Sequence, residues 1–323
     1  MNRLNDVAAN AVSGRPTVDV HQHLWPPRLI EVLRSRTRPP RLRDWTLELD
    51  GEPDYQVDPH HHDVDVRRGQ ATGDGLDLAL VSLSSPLGIE LLAPTESREL
   101  IDAYNEGALE LPDPFGAWAA ACVTDVDPDA LECDLSRGFV GLQLPATALC
   151  DELGYHRMAP LLQVLEDSGR PLFIHPGPAS SPRGAPNWWP VIVSYVHQMH
   201  AAWYAFRAFG RPSHPRLRVC FAILAGLAPL HGERFLTRTG QTTVVDADVF
   251  LDTSSYGTRA IDATVRVLGI DGLVAGSDRP YAPLSVPDLG VAAWSAMCAA
   301  NPLRLLDHKE VSHVRPVLSG AQP

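Results

Sequence analysis

A chain of 323 residues with 45% hydrophobic residues is long enough to form one large domain with a substantial core. Its formal net charge of −12 would repel a polyanion, which excludes nucleic acid as a partner. The five cysteines form no CxxC pair and are typical of buried thiols in a reducing compartment. Because the sequence also contains neither an apolar run long enough to span a membrane nor the apolar region of a secretion signal, we expect a cytoplasmic protein.

The segment 17–23 is predicted to be a β-strand because it is rich in β-branched residues and has prolines on both sides. Side chains alternate along a strand, so Asp19, His21 and His23 should project from one face. Two imidazoles spaced in this way can bind one divalent cation, although two ligands alone make an incomplete site. The alternative is a half-buried strand whose polar face carries histidines without a metal.

A long connection follows at 24–70 and contains the run His60-His61-His62 beside two aspartates. The triplet could bind a metal, but a solvated polar loop is the simpler interpretation. The length of this connection and its lack of clear periodicity indicate a functional loop.

From residue 76 onward, apolar runs typical of buried strands alternate with helical patterns. The strands are predicted at 76–83, 117–123, 139–144, 171–175, 217–222, 249–252 and 273–276. The helices are predicted at 96–111, 128–137, 155–168, 188–209, 228–239 and 258–268. Together with the first strand, this pattern predicts an α/β protein with eight parallel strands, and a (β/α)8 TIM barrel fits it better than an open sheet. No composition break divides residues 1–323, so we expect a single domain with long loops at 24–70 and 177–200.

Polar residues lie at the carboxyl ends of three predicted strands, where barrels collect their functional groups. The first strand ends in His21 and His23, the fifth in His175, and the last is followed by Asp278. Three histidines and one aspartate form a ligand set suited to zinc or a similar divalent ion with one position open to water. Singly, His175 could be an ordinary strand-end histidine and Asp278 a turn cap. Their shared placement favours a metal site.

These motifs together resemble the amidohydrolase superfamily. The pattern consists of Asp19-x-His21-x-His23, then 173–177 with His175-Pro176-Gly177, then Gly276-Ser277-Asp278-x-Pro280. It is most similar to the branch that includes aminocarboxymuconate semialdehyde decarboxylase and the hydroxybenzoate-type decarboxylases, and the stretches 83–90 and 138–144 support this. The resemblance implies a metal-dependent TIM barrel in which His21, His23, His175 and Asp278 hold one metal ion.

Two positions depart from the pattern of that superfamily. Binuclear members carry a bridging Lys or Glu at strand four, where this chain has Gln143, so a single metal is expected. The histidine usual at the end of strand six is replaced by Ile223, which can neither carry a proton nor orient water.

Several further residues are candidates for substrate binding. The pair Trp188-Trp189 lies in a proline-rich insertion that could cover the pocket and stack on a planar substrate, or could instead anchor the loop or contact a second copy of the chain. His197 on the following helix could reach the site, although such histidines are more often ordinary surface or core residues. Arg279 beside Asp278 could bind a substrate carboxylate, and Gln143 at the end of strand four is a further candidate to contact the substrate.

Three functions follow from this pattern. The first is hydrolysis of a C–N, ester or lactone bond in a small molecule by metal-activated water, with Asp278 and His175 in catalytic roles. The second is metal-dependent, non-oxidative decarboxylation of an aromatic or enoic acid, which Gln143 and the Trp pair favour slightly. The third is a non-catalytic barrel that binds a small ligand, which the replacement by Ile223 suggests.

Overall fold

The computed structural model describes residues 15–50, 54–241 and 245–306. Eight strands with parallel neighbours lie in these residues: β1 (Val18–Gln22), β2 (Leu78–Val81), β3 (Phe115–Ala117, resumed at Ala119–Ala120), β4 (Leu142–Pro145), β5 (Leu172–His175), β6 (Val219–Phe221), β7 (Val249–Asp252) and β8 (Leu273–Val274). Every residue of β1, β2, β4, β5, β6, β7 and β8 is buried, which is expected for parallel strands covered by helices.

The strands close into a barrel. β1 pairs with β2 and β2 with the first part of β3, whereas the part after Trp118 pairs with β4. Parallel pairing continues from β4 through β8 in sequence order. The ring closes where Val20 N–H donates to Ala275 O at 2.9 Å and Asp278 N–H donates to His21 O at 2.9 Å. The predicted (β/α)8 barrel is therefore confirmed.

Helices cover the barrel. They are α1 (Pro27–Ser35), α2 (Val64–Gly73), α3 (Pro94–Leu109), α4 (Pro128–Arg137), α5 (Glu152–Ser168), α6 (Tyr195–Ala205), α7 (Arg211–Ser213), α8 (Gly232–Thr239), α9 (Thr258–Leu268), α10 (Val291–Ser295) and α11 (Asn301–Leu306). Short π-helical turns at Pro190–Ser194, Phe206–Gly210 and Ala296–Ala300 join some of them. The predicted helices at 128–137 and 258–268 have the observed bounds, whereas the helices after β8 were not predicted. None of the described helices is long and apolar enough to cross a bilayer.

The described residues of the connection 24–70 include several regular elements. It contains α1, three short antiparallel strands (Arg41–Arg43, Thr46–Glu48 and Tyr55–Gln56), and the start of α2. Within the His triplet, His62 stacks on Trp25 with ring centroids 4.1 Å apart, and its Nδ1 accepts the Trp25 N–H at 3.0 Å. Burial lowers the pKa of His62 to about 3, and the positive charge of nearby Arg67 is the second largest cause of this shift. Neutral His62 therefore anchors this connection to the end of β1.

Candidate metal centre

Three histidines point their Nδ1 atoms away from a common centre. These atoms lie within hydrogen-bonding distance of Asp252 Oδ2 (2.6 Å, from His21), of Ser82 O (3.1 Å, from His23) and of Pro176 O (2.8 Å, from His175). Since all three acceptors are carboxylate or carbonyl oxygens, each Nδ1 carries the proton. Each Nε2 is then left with a lone pair, which is the form of imidazole that binds a metal.

The Nε2 atoms converge with a carboxylate. Nε2 of His21 lies 3.1 Å from Nε2 of His23, and the His175 ring centroid lies 4.9 Å from both other rings. Asp278 Oδ1 lies 3.2 Å from Nε2 of His23 and 3.6 Å from Nε2 of His21. Ligand atoms of all four residues lie within 4.8 Å of one another. Lone pairs and a carboxylate that face one another at these distances repel unless a cation lies between them, so the residues fit a divalent metal.

Burial defines the electrostatics of this centre. The three histidines are at most 6% exposed, whereas the Asp278 side chain is 17% exposed, so the solvent side of the centre is at Asp278. Burial lowers the pKa of His23 and, helped by the neighbouring histidines, holds the pKa of His175 well below its ordinary value. Burial also acts to lower the pKa of His21, but the carboxylates of Asp252, Asp278 and Asp19 together outweigh it and the pKa is raised.

Asp252, at the end of β7, completes the surroundings of His21 and was not singled out from the sequence. Its Oδ1 accepts from Ile223 N–H at 2.9 Å, Ser254 N–H at 3.0 Å and the Ser254 hydroxyl at 2.5 Å. Its Oδ2 faces His21. The strand-end rule that identifies His175 would also have identified this residue, because a buried apolar run ends at it.

Asp19 shares the motif of His21 and His23 but lies outside the metal cluster. One oxygen accepts from His21 N–H at 3.1 Å and Ser277 N–H at 3.0 Å, and the other accepts from the Gln22 side chain at 2.8 Å. Burial raises the pKa of Asp19 despite these donors. Its carboxylate therefore ties β1 to the segment after β8, and the irregular register of β1 between Asp19 and Gln22 accompanies this arrangement.

Gln143 also lies outside the cluster, beside Phe173 in the sheet and two residues before the level of His175. Its Nε2 donates to Leu83 O at 2.7 Å and to Ser85 Oγ at 2.6 Å. The Ser85 hydroxyl donates in turn to the fully buried Glu90. Burial raises the pKa of Glu90 to about 7.

The structure does not bring the predicted substrate-binding side chains to the cluster. The guanidinium group of Arg279 binds Asp74, with Nη2 and Oδ2 2.5 Å apart. Trp188 is 55% exposed and lies 6.0 Å from Trp189 between ring centroids, and His197 is exposed. Within the described part of the chain, these four side chains make no hydrogen bond, ion pair or ring contact with the metal cluster; they are Arg279, Trp188, Trp189 and His197. The position of Arg279 has a simple reason: neighbouring residues point in different directions, so adjacency to Asp278 does not bring both side chains into the pocket.

Ile223 begins a left-handed turn after β6. Residues Ile223 to Leu227 all have φ between 45° and 61°, and only Gly226 among them lacks a Cβ. A Cβ on Gly226 would lie 2.6 Å from Val196 O in α6. Left-handed backbone is unfavourable for residues other than glycine, so contacts with the surrounding structure must stabilise this turn. The Ile223 side chain is half-buried against the core, and its N–H binds Asp252.

A curated protein and several solved structures are similar to this chain. No family model matches it. The 2-amino-3-carboxymuconate-6-semialdehyde decarboxylase of Dictyostelium discoideum is 23% identical over 259 residues, which is 73% of this chain and 71% of that protein. The resemblance inferred from the motifs is thus confirmed, and this relative is a decarboxylase rather than a hydrolase.

Among solved structures, the IDCase of Metarhizium anisopliae has a TM-score of 0.74 at 19% identity and covers 93% of this chain and 99% of its own. The 5-carboxyvanillate decarboxylase of Novosphingobium aromaticivorans, complexed with manganese and 4-hydroxy-3-methoxy-5-nitrobenzoic acid, has a TM-score of 0.70 at 17% identity. It covers 91% of this chain and 96% of its own. At these identities the likeness establishes the fold.

Proposed function

We propose that this chain is a metal-dependent, non-oxidative decarboxylase of an aromatic or enoic carboxylic acid. The observation that carries the proposal is the convergence of three Nε2 lone pairs and the Asp278 carboxylate at the carboxyl ends of the strands. The curated relative and the carboxyvanillate enzyme are both named as decarboxylases, which favours this reaction over the hydrolysis that the motifs suggested first.

His21, His23, His175 and Asp278 would hold one divalent ion. Bound there, it would supply positive charge to orient substrate oxygens and stabilise negative charge that develops on them. The uncharged Gln143, which is held by Leu83 and Ser85, offers no bridge for a second ion. Three nitrogens and one oxygen suit zinc, whereas the carboxyvanillate enzyme holds manganese, so the preference for zinc stays a prediction.

Decarboxylation requires a proton at the carbon that loses CO2, and Asp278 is the residue best placed to carry it. In the proposed step, a proton carried on Oδ2 of Asp278, the oxygen that does not face His21 and His23, passes to the carboxyl-bearing carbon, the C–C bond to the carboxylate breaks, and the electron pair of that bond restores the unsaturated system as CO2 leaves. The partial exposure of Asp278 lets it regain a proton from water. The apolar Ile223 cannot take this role.

The substrate would be a small planar acid. Because Asp74 already engages Arg279, we do not assign the carboxylate to this arginine. The exposed Trp188 and Trp189 would reach such a substrate only if the insertion moved toward the pocket, as loops at the catalytic ends of barrels do.

The test is turnover of the metal-loaded chain. Protein freed of metal and reloaded with manganese or zinc is incubated with 5-carboxyvanillate, 2,6-dihydroxybenzoate and 2-amino-3-carboxymuconate-6-semialdehyde, while CO2 release is measured. We expect release from at least one acid, and at least a 100-fold loss in Asp278→Asn. A parallel panel of esters, amides and lactones tests hydrolysis. Hydrolysis without CO2 release would overturn the proposal. Tight metal binding without turnover in either panel would favour the non-catalytic barrel.

A further inference from the structure

We propose that Asp252, the last residue of β7, and Ser255, on the short segment that follows it, are the residues that position the metal ligands His21 and Asp278. Neither residue is a metal ligand itself. Asp252 contacts His21, and Ser255, three residues further along the chain, contacts Asp278. The inference rests on the metal centre of the proposed function but not on decarboxylation.

Asp252 fixes the ring and tautomer of His21. The carboxylate is fully buried, and three donors from Ile223 and Ser254 occupy its Oδ1. Since Oδ1 is held in this way, the carboxylate cannot rotate without losing hydrogen bonds, and Oδ2 stays aimed at Nδ1 of His21 at 2.6 Å. A carboxylate only accepts hydrogen bonds, so Nδ1 must carry the proton and Nε2 must be free for the metal.

Ser255 acts on the other side of the cluster. Its hydroxyl donates to Oδ2 of Asp278 at 3.2 Å, while Oδ1 of Asp278 faces His21 and His23. Both Ser255 and Asp278 have left-handed backbone, with φ of 62° and 67°. Unfavourable backbone of this kind persists where the surroundings require it, and here it turns the two side chains toward each other.

Gly276 provides the space in which Asp252 sits. A Cβ at this position would lie 3.0 Å from both Cβ and Cγ of Asp252 and 3.1 Å from its Oδ2. A side chain here would push the carboxylate out of line with His21. The absence of a side chain at Gly276 thus leaves room for Asp252 to face His21 on β1, and the same glycine begins the turn that carries Asp278.

Asp252→Asn is the main test because it preserves shape while replacing the acceptor that faces His21. With Oδ1 still held by its three donors, the amide nitrogen would face Nδ1 and donate to it. The proton of His21 would then move to Nε2, which removes the lone pair needed by the metal. We expect manganese and zinc to bind about 10- to 100-fold more weakly by direct titration. In the metal-free variant, long-range ¹H–¹⁵N spectra should show His21 protonated at Nε2, whereas the unaltered chain should show it protonated at Nδ1.

Ser255→Ala should weaken metal binding about fivefold, the effect of losing one neutral hydrogen bond. Asp134→Asn is the control for Asp252→Asn, because Asp134 is likewise a carboxylate with a hydrogen-bonded neighbour, Asn105, but it is only partly buried and lies in α4 on the outside of the barrel. Its metal affinity should not change.

Metal affinity within twofold of the unaltered chain in Asp252→Asn, or an unchanged His21 tautomer, would overturn the inference. If Asp252→Asn failed to fold, the tautomer in the unaltered chain would still test it, since protonation at Nε2 there contradicts the role of Asp252. Turnover does not enter these measurements. Failure to find a decarboxylated substrate therefore refutes the proposed function while leaving this inference standing.

Discussion

Replacing Glu90 with glutamine should stabilise the protein above about pH 4.5, and the stabilisation should be complete from about pH 7 upward. Glu90 is fully buried; the Ser85 hydroxyl donates to its Oε1, and in the described part of the chain its Oε2 has no hydrogen-bond partner. The substitution Glu90→Gln keeps the size of the side chain and its acceptor for Ser85, but removes the charge.

The magnitude follows from the pKa. Burial raises the pKa of Glu90 from its ordinary 4.5 to about 7, so the folded protein holds this proton to a higher pH than the unfolded chain does. Below pH 4.5 both states are protonated and there is no penalty. As pH rises from 4.5 to about 7 the unfolded state ionises first and the free energy of unfolding falls, at ~1.4 kcal/mol per pH unit. Above pH 7 the penalty is constant at about 3 kcal/mol, and this is the stabilisation expected for Glu90→Gln.

Urea unfolding of metal-free protein between pH 5 and 8.5 measures this difference. The free energy of unfolding of Glu90→Gln relative to the unaltered chain should increase up to pH 7 and then level off. Glu99→Gln, at an exposed position of α3, is the control and should show no such increase. The same difference at every pH, or a loss of stability in Glu90→Gln that grows with pH, would refute the reasoning.

Three further predictions concern the metal centre and the turn after β6. Mass spectrometry of purified protein should find close to one metal ion per chain and none in a His21→Ala, His23→Ala double variant, since two ligands are too few; a ratio near two contradicts the single site. Ile223→His should leave metal affinity unchanged, because position 223 binds Asp252 through its main-chain N–H, and titration would detect any change. Gly226→Ala should lower the melting temperature and reduce the free energy of unfolding by about 2 kcal/mol or more. Residue 226 has left-handed backbone, and the new methyl group would clash with Val196 O; an unchanged melting temperature would contradict this.

The ends of the barrel strands were readable from the sequence. Apolar runs fix the positions of the strands, and a polar residue where such a run stops must lie at the rim of the barrel. From the sequence alone, that single rule places His21, His23, His175 and Asp278 at the same end of the barrel. It worked because a parallel strand determines both the position and the direction of its last side chain.

Other features were not readable because they depend on contacts between distant parts of the chain. The direction of Arg279 is set by Asp74, some 200 residues away in sequence. The left-handed turn from Ile223 to Leu227 depends on α6, and four of its five residues would by themselves prefer other backbone conformations. The elements within 24–70 are short, and short strands and helices leave too weak a periodic signal to be recognised.

The closure of the barrel between β1 and the segment after β8 has a consequence for folding during synthesis. The contacts at this closure join residues roughly 250 positions apart, which is the longest loop that the barrel must close. The ligands His21 and His23 lie on one side of it and Asp278 on the other. As the chain leaves the ribosome, the first strand stays without its final neighbour until residues 275–278 have been made. A metal ion bound by His21, His23 and Asp278 would join the two ends of the barrel and so stabilise its closed form.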